Sequence, residues 1–243
     1  MIEVRNLYKT FQNQEILKNV NLSISGGSSF TILGQSGSGK SVLIKNMIGL
    51  MTPDSGEVLY DSLNLYQLNE RELLDSRKDF GFLFQHGALF DSLNILDNIV
   101  FYIQQKQKIT LKDKQDIASE KLKLVGLDTS VLYKYPSELS GGMQKRVAMA
   151  RAICHSPKII FFDEPTTGLD PVMTSLINET ILRIKEELNA TIITITHNIE
   201  SAKMISTNIA FLYQSQILWN GNQSDLNSDI PQELSNFLKG KIA

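Results

Sequence analysis

The stretch GQSGSGKS, Gly34 to Ser41, is the clearest indication of fold in this sequence. It follows the short apolar run FTIL, which is typical of a buried strand, and it opens a helical segment from Lys40 to about Leu50. This strand, turn and helix match the GxxxxGK[ST] template of phosphate-binding loops. In such a loop the backbone amides and the positive end of the helix converge on anionic oxygen. The sequence therefore predicts a binding site for a nucleoside triphosphate.

The same turn predicts which groups contact the nucleotide. Its glycines let the chain turn tightly without side-chain obstruction. Lys40 supplies a positive charge to the outer phosphates, and the hydroxyl of Ser41 can ligate Mg²⁺. The expected nucleotide contacts are Gly34, Ser36, Gly37, Ser38, Gly39, Lys40, Ser41 and Val42.

A second motif, IIFFDEP, places two adjacent carboxylates after the apolar run Ile159 to Phe162. The carboxyl end of a buried parallel strand is where phosphate-binding sheets present their ligands. We expect Asp163 to hold the Mg²⁺ shell. Glu164 is one residue further along and points elsewhere, so we expect it to polarise a water in line with the terminal phosphate.

The composition argues against several classes of protein. The chain has 243 residues, of which 42% are hydrophobic and 21% charged, which is an ordinary core-forming composition. A net charge of −2 offers no polyanion-binding surface, so we expect no nucleic-acid partner. The amino terminus lacks the layout of a signal peptide, and no stretch approaches the roughly 18 apolar residues of a membrane span. These features, with a single cysteine at Cys154, predict a cytoplasmic chain.

Hydrophobic patterning predicts an α/β organisation. The first 33 residues predict strands, and the runs at 159–162 and 191–195 predict central parallel strands. A helix over Thr174 to Leu188 is expected to begin after Asp170, a capping residue followed by a proline. The segment 85–154 predicts a helical insertion. Its expected helices cover residues 95–105, 113–125 and 143–153, and the C-terminal part predicts a short helix after His197, a hairpin over IAFLYQSQILWNG and a polar appendage that is helical near PQELSNFLKG.

Four further landmarks follow in order: GFLFQ ending at Gln85, LSGGMQKRVAMARA from Leu139, TTGLDP around Asp170, and TITHN with His197. Together with the two motifs above they cover nearly the whole chain, which resembles the ATP-binding cassette (ABC) ATPases. The switch segment reads THN where THD is commoner in that family, so Asn198 replaces an acid and leaves open the fine hydrogen bonding around His197.

The resemblance implies roles for these residues. The catalytic set would be Glu164, His197 and Gln85, and the metal ligands Ser41, Gln85 and Asp163. Phe11 resembles the aromatic residue that stacks on adenine. Ser140 can cap a helix that begins near Gly142, and the glycines let amides at that positive helix end approach an anion. The resemblance implies that the LSGGMQ segment, with Ser140, Gly141 and Gly142, closes the ATP site of a neighbouring subunit, so that two chains bury two ATP molecules head to tail. Asp170, in the D-loop, is a further expected nucleotide-binding residue.

The resemblance also implies a fold class. We expect a P-loop NTPase (RecA-like) parallel-sheet core with an N-terminal antiparallel β subdomain and an inserted helical subdomain. Residues 1–243 would form one ABC ATPase domain, in which the core and β subdomain cover 1–84 and 155–221, the helical subdomain 85–154, and a short C-terminal appendage 222–243.

Three functions are compatible with such an ATPase: DNA maintenance, translation and transport. A chromosome-structuring or DNA-repair ATPase needs a long coiled coil between its phosphate-binding motifs, and no sustained heptad pattern lies between Ser41 and Ile159. Translation-factor cassettes normally carry two ATPase units and basic surfaces. An exporter half would carry its own membrane helices. The sequence therefore favours a transporter subunit on the cytoplasmic face of the inner membrane that acts with a separate permease.

For the cargo, the stretch FQHGALFDSLNILDNI resembles cassette ATPases that work with MCE-domain proteins in Mla-type phospholipid transport. DIPQELSNFLKG also resembles the terminal segment of that group. Expected partners are a second ATPase subunit, a permease, an MCE-domain lipid-binding protein and a small STAS-type accessory subunit. The alternative is a polar amino-acid importer of the methionine or glutamine type. Methionine importers share FQH, but GALFDSL, residues Gly87 to Leu93, argues against them.

Overall fold

The structure is a computed structural model that describes residues 1–241; residues 242 and 243 of the predicted appendage lie outside the described residues. The chain divides into two compact units, one built from Met1–Lys78 and residues 191–241, the other from Asp79–Ala190. The expected single domain, with its boundaries after residues 84, 154 and 221, stays a prediction. Within residues 1–241, no helix is both long and apolar enough to cross a membrane.

The first unit contains an antiparallel sheet at the amino terminus. Strands β1 (Ile2–Phe11) and β2 (Gln14–Ile24) form a hairpin, and β1 also pairs with β4 (Ser55–Tyr60), which pairs with β5 (Leu63–Asn64). The hairpin turns at Gln12 and Asn13, whose φ angles of 46° and 66° match the twist of a tight connection. The predicted antiparallel β subdomain is confirmed here, whereas β4 and β5 were not predicted.

The first unit also contains a parallel group of strands. Strand β3 (Ser29–Leu33) pairs in parallel with β8 (Thr191–Thr196) and with β9 (Asn208–Tyr213). Every residue of β3 and β8 is buried, as expected for strands covered on both faces. β9 returns through an antiparallel hairpin to β10 (Gln216–Asn222), which confirms the predicted closing hairpin.

Four helices accompany these strands. Helix α1 (Lys40–Met47) follows β3 and ends three residues earlier than predicted, because Gly49 has a φ of 69° that a helix cannot continue. Helices α2 (Glu70–Ser76) and α7 (Ile199–Ile205) are short, and only α2 was not predicted. Helix α8 (Gln232–Leu238) confirms the helix expected near PQELSNFLKG. Its Phe237 ring lies 5.2 Å from the Phe211 ring, which attaches the appendage to the core.

The second unit pairs two parallel strands, β6 (Phe80–Leu83) and β7 (Ile159–Asp163), and carries the predicted helices. Each helix begins at a side chain that accepts a backbone N–H: Asn94, Thr110, Ser140 and Asp170. These local signals explain why the predicted helix starts lie within three residues of the observed ones. The helices are α3 (Ile95–Lys106), α4 (Leu111–Leu124), α5 (Gly141–Ala152) and α6 (Pro171–Leu188).

Candidate functional site

The phosphate-binding turn of the first unit connects β3 to α1 and requires glycine at defined positions. Gly39 has a φ of 102°, and a Cβ there would lie 2.8 Å from the carbonyl oxygen of Ile16. A Cβ on Gly34 would lie 2.6 Å from the carbonyl oxygen of Leu212. Because both glycines meet backbone, a side chain at either position would displace the turn itself.

The turn also has the polar groups that a phosphate needs. Lys40 is buried, and its Nζ donates to the carbonyl oxygens of Gly34 and Gln35 at 2.9 and 2.8 Å, which fixes a positive charge inside the turn. The Oγ of Ser38 is buried without a hydrogen-bond partner among the described residues. Gly39 precedes α1 and has no side chain to cap it, so the helix start presents backbone N–H groups. These features fit a bound anion.

The switch segment lies beside this turn. Leu33 of β3 is paired with Thr196 of β8, and the N–H of Gly34 donates to the carbonyl of Thr196 at 3.3 Å. His197 follows directly and is exposed. Asn198 caps α7, because its Oδ1 accepts the N–H of Ser201 at 2.8 Å. An aspartate would accept the same hydrogen bond, so the replacement by asparagine keeps the geometry of the segment after His197.

Phe11 ends β1 with 41% of its surface exposed, as a ring that stacks on a base must be. The ammonium of Lys9 lies 5.4 Å from the ring centroid and is held by Asp54 at 2.8 Å. A cavity of about 340 Å³ also opens in this unit. Its lining comes from the start of β2, the phosphate-binding turn and the β9–β10 turn: residues 14–16, 35–38 and 212–215.

The second unit carries the two carboxylates at the end of β7. Asp163 and Glu164 are both 7% exposed. Glu164 has a φ of 48°, a left-handed backbone conformation that is costly for a non-glycine residue and is typical of functional sites. The hydroxyl of Thr167 donates to Oε2 of Glu164 at 3.1 Å, and the N–H of Thr167 donates to the carbonyl of Glu164 at 3.3 Å. The carboxylate is therefore held by a tight turn, and sequence reasoning missed the role of Thr167.

Gln85 follows β6 and is half-buried. Its backbone carbonyl accepts a hydrogen bond at 2.5 Å from Nζ of Lys145, a buried lysine of α5. Burial lowers the pKa of Lys145, and the charges of Asp163 and Glu164 oppose that shift. Lys145 therefore links the helix of the LSGGMQ motif to Gln85 by a hydrogen bond, and both carboxylates favour its charged form. No feature of the sequence indicates this link.

The LSGGMQ segment takes the predicted conformation. Ser140 is the N-cap of α5, and its Oγ accepts the N–H of Met143 at 3.3 Å. Ser140 and Gly141 are exposed, whereas Gly142 is buried and a Cβ there would overlap the Cε of Met173 on α6. Asp170 is exposed and caps α6 through the N–H of Met173 at 2.9 Å. The starts of α5 and α6 are therefore in direct contact.

The predicted residues fall into two sets. The first unit holds Phe11, the whole phosphate-binding turn with Ser41 and Val42, and His197. The second unit holds Gln85, Ser140, Gly141, Gly142, Asp163, Glu164 and Asp170. The three expected Mg²⁺ ligands, Ser41, Gln85 and Asp163, would supply a hydroxyl, an amide and a carboxylate oxygen, which are the hard ligands that Mg²⁺ prefers.

An aromatic groove of about 380 Å³ opens in the second unit. Phe84 and Phe90 are 40% and 42% exposed at this groove. Arg151 lies over the Phe90 ring at 5.8 Å, and burial lowers the pKa of His155. The groove is lined by Phe80, Phe82, Phe84, Ala88, Phe90, Phe101, Tyr102, Arg151, Ala152 and His155.

Two side chains hold the segment Gly87 to Leu93, which contributes Ala88 and Phe90 to the lining of this groove. Arg151 donates to the carbonyls of Gly87 and Ala88 at 2.6 and 2.7 Å. Asn98 accepts the N–H of Phe90 at 2.8 Å and donates to the carbonyls of Phe90 and Leu93 at 3.0 and 2.9 Å. The segment is therefore preformed, and neither side chain was singled out from the sequence.

The family model described as ABC transporter matches residues 17–167 of this chain. The chain belongs to the ABC transporter family. A solved dimeric ATP-binding cassette in a post-hydrolysis state, bound to ADP and Pi, superposes with a TM-score of 0.84 at 33% identity and covers 92% of this chain and 99% of its own. The predicted fold class is therefore confirmed, and the chain is an ATP-binding, ATP-hydrolysing subunit of an ABC transporter.

Curated relatives span several named transport systems. The chain is 39% identical over 240 residues to the "Probable ribonucleotide transport ATP-binding protein mkl" of Mycobacterium leprae, covering 99% of this chain and 69% of that protein. It is 37% identical over 241 residues to the "Intermembrane phospholipid transport system ATP-binding protein MlaF" of Haemophilus influenzae, covering 99% and 91%. It is 37% identical over 239 residues to the "Methionine import ATP-binding protein MetN 1" of Oenococcus oeni, covering 97% and 68%. The resemblance to the Mla group is confirmed.

Proposed function

We propose that this ABC transporter ATPase powers phospholipid trafficking between the inner and outer membranes, together with a permease and an MCE-domain protein. The observation that carries the proposal is the similarity to MlaF, which spans nearly all of both chains. The GALFDSL stretch, which resembles that group, contributes Ala88 and Phe90 to the lining of the aromatic groove. The subunit would lie at the cytoplasmic face of the inner membrane, and a small STAS-type protein would complete the assembly.

The proposed ATP site is built from the residues that the resemblance assigns to it. Lys40 would neutralise the outer phosphates, and Ser41, Gln85 and Asp163 would supply oxygen ligands to Mg²⁺. Glu164 polarises the attacking water, and His197 contacts the terminal phosphate. The support is the buried charge of Lys40 and the fixed carboxylate of Glu164, whose Oε2 accepts a hydrogen bond from Thr167.

The proposed second half of each ATP site comes from another copy of the chain. Ser140 and Gly141 are exposed at the positive end of α5, where backbone N–H groups attract an anion. Asp170 is exposed at the start of the neighbouring α6. A head-to-tail pair would bring these groups to the phosphates on the partner's turn, and the similar cassette in the ADP and Pi state is a dimer. ATP binding would then close the pair, and hydrolysis would open it.

The aromatic groove is the proposed contact with the permease. Its exposed rings, Phe84 and Phe90, would be covered by an apolar helix of the membrane protein. The part of the groove lining around Phe90 is preformed by Arg151 and Asn98, so little conformational entropy is lost on binding.

A methionine-type importer is the second candidate, because MetN 1 has the same 37% identity to the chain as MlaF has. The feature against it is GALFDSL. Affinity purification of the tagged chain from native membranes, followed by mass spectrometry, separates the two. Recovery of a permease with an MCE-domain protein supports the phospholipid system, whereas recovery of a permease with an amino-acid receptor contradicts it.

A substitution in the aromatic groove tests the proposed contact with the permease in the same experiment. Phe90→Asp places a charge among the aromatic rings and should abolish recovery of the permease. Tyr133→Asp is the matched control, because Tyr133 is an exposed aromatic residue of the same unit that does not line the groove. Equal recovery of the permease by both variants would place the docking surface elsewhere.

A further inference from the structure

Lys145 is buried, whereas lysine side chains are usually exposed to solvent. Only 8% of its surface is exposed, although it lies on α5 just after the LSGGMQ motif. Burying an ammonium group is costly unless hydrogen bonds and opposite charges compensate. The ammonium group of Lys145 therefore needs hydrogen-bond acceptors or negative charges nearby.

The partners of Lys145 belong to two other motifs. Its Nζ donates to the backbone carbonyl of Gln85, which lies 60 residues away in sequence. The negative charges of Asp163 and Glu164 act on the same ammonium and favour its charged form, while burial opposes it. One cation thus donates a hydrogen bond to the Gln85 segment, and both carboxylates favour its charged form.

Because Lys145 donates to the backbone carbonyl of Gln85, the hydrogen bond fixes the path of this segment independently of the Gln85 side chain. The same segment continues into Gly87 and Ala88, which Arg151 holds from the next turns of α5. The helix of the LSGGMQ motif is therefore attached by two cations to the segment after β6. Of these cations, Lys145 is the one whose charge also acts on the carboxylates.

We propose that Lys145 is a positioning residue for ATP hydrolysis, which holds the Gln85 segment in register with Asp163 and Glu164. The inference rests on the proposed roles of Gln85 and Glu164 and deepens them. Lys145 would act through these residues and need not contact ATP. Its loss should slow turnover while nucleotide binding, which depends on the turn around Lys40, is retained.

Three substitutions separate charge from structure. Lys145→Met keeps the length of the side chain but removes the charge and the donor, and should lower kcat roughly tenfold or more with the KM for ATP changed less than about threefold. Lys145→Arg keeps the charge and should recover most of kcat. Lys145→Gln should resemble the Met variant. The assay uses the full chain, with the permease complex if the isolated chain is inactive.

Lys121→Met is the matched control. Lys121 is a buried lysine of α4 in the same unit, 5% exposed, and its ammonium pairs with Glu120 at 2.8 Å. Its replacement should lower Tm while kcat per folded molecule stays unchanged. This difference separates a hydrolysis defect from a general cost of removing a buried charge.

The outcomes are distinct. A lower kcat for Met and Gln with recovery by Arg supports the positioning role. Normal kcat per folded molecule in Lys145→Met overturns it, and if that variant does not fold, equal losses in the Arg and Gln variants overturn it. Glu164→Gln is measured in parallel: normal turnover there would refute the proposed catalytic base, whatever the Lys145 variants do.

Discussion

The hydroxyl of Thr167 donates a hydrogen bond to Oε2 of Glu164 at 3.1 Å, and Glu164 itself has a left-handed backbone with a φ of 48°. A strained backbone and a fixed carboxylate at the end of a buried strand indicate that the direction of this side chain matters. A general base must lie within hydrogen-bond reach of the water it activates, so its orientation limits the rate.

Thr167→Val should therefore slow hydrolysis. Valine keeps the shape of threonine but removes the hydroxyl, and a hydrogen bond to a charged group contributes enough to predict a roughly tenfold loss of kcat. The KM for ATP should stay near the wild-type value in steady-state assays. Thr167→Ser keeps the hydroxyl and serves as the control. A Val variant with wild-type kcat would show that Thr167 does not hold the carboxylate in its working direction.

Lys40→Ala should lose nucleotide binding. The change removes a buried positive charge and frees the carbonyls of Gly34 and Gln35, so the phosphate-binding turn loses both its charge and its internal support. Titration with a fluorescent ATP analogue should show affinity reduced roughly 100-fold or more. Lys45→Ala, an exposed lysine on the same helix, should bind normally. Retained affinity in the Lys40 variant would contradict the proposed phosphate contact.

His155 should make the stability of the chain fall in mild acid. Burial lowers the pKa of His155 below its usual 6.5, while its Nε2 lies 3.1 Å from the carbonyl oxygen of Phe80. The unfolded chain therefore takes up a proton first as the pH falls through 6.5, and stability present above that pH is lost below it.

His155→Gln should make this loss shallower. Thermal unfolding followed between about pH 7.5 and pH 5 should show a smaller drop in Tm than in the wild type. An identical pH dependence in the wild type and the His155 variant would refute the argument.

Local signals made much of the chain predictable from its sequence. The phosphate-binding turn needs glycine where the backbone is crowded, and helix caps such as Ser140 and Asp170 act within three residues. Both kinds of signal depend on residues that lie next to or near one another in the sequence. The short strands β4 and β5 have little hydrophobic periodicity of their own, and β4 pairs with β1 and β5 with β4. The start of α2 does carry a local signal that was missed, because Asn69 and Glu72 form a capping box.

Contacts between distant segments could not be predicted in the same way. Lys145 directly follows the LSGGMQ segment. No residue near it in the sequence indicates a hydrogen bond to Gln85, which lies 60 residues earlier. Asn98 was expected only as one residue of a helix, yet it holds Phe90 and Leu93. Such side chains acquire their roles only when tertiary packing brings the partners together.

Glu164→Gln tests whether each ATP site is completed by a second copy of the chain. The variant should bind ATP without hydrolysing it and so hold the closed pair together. Light scattering after size exclusion should give the mass of a dimer when ATP and Mg²⁺ are present, and of a monomer without them. A variant that binds ATP but stays a monomer when ATP and Mg²⁺ are present, or one that hydrolyses ATP at the wild-type rate, would contradict the account.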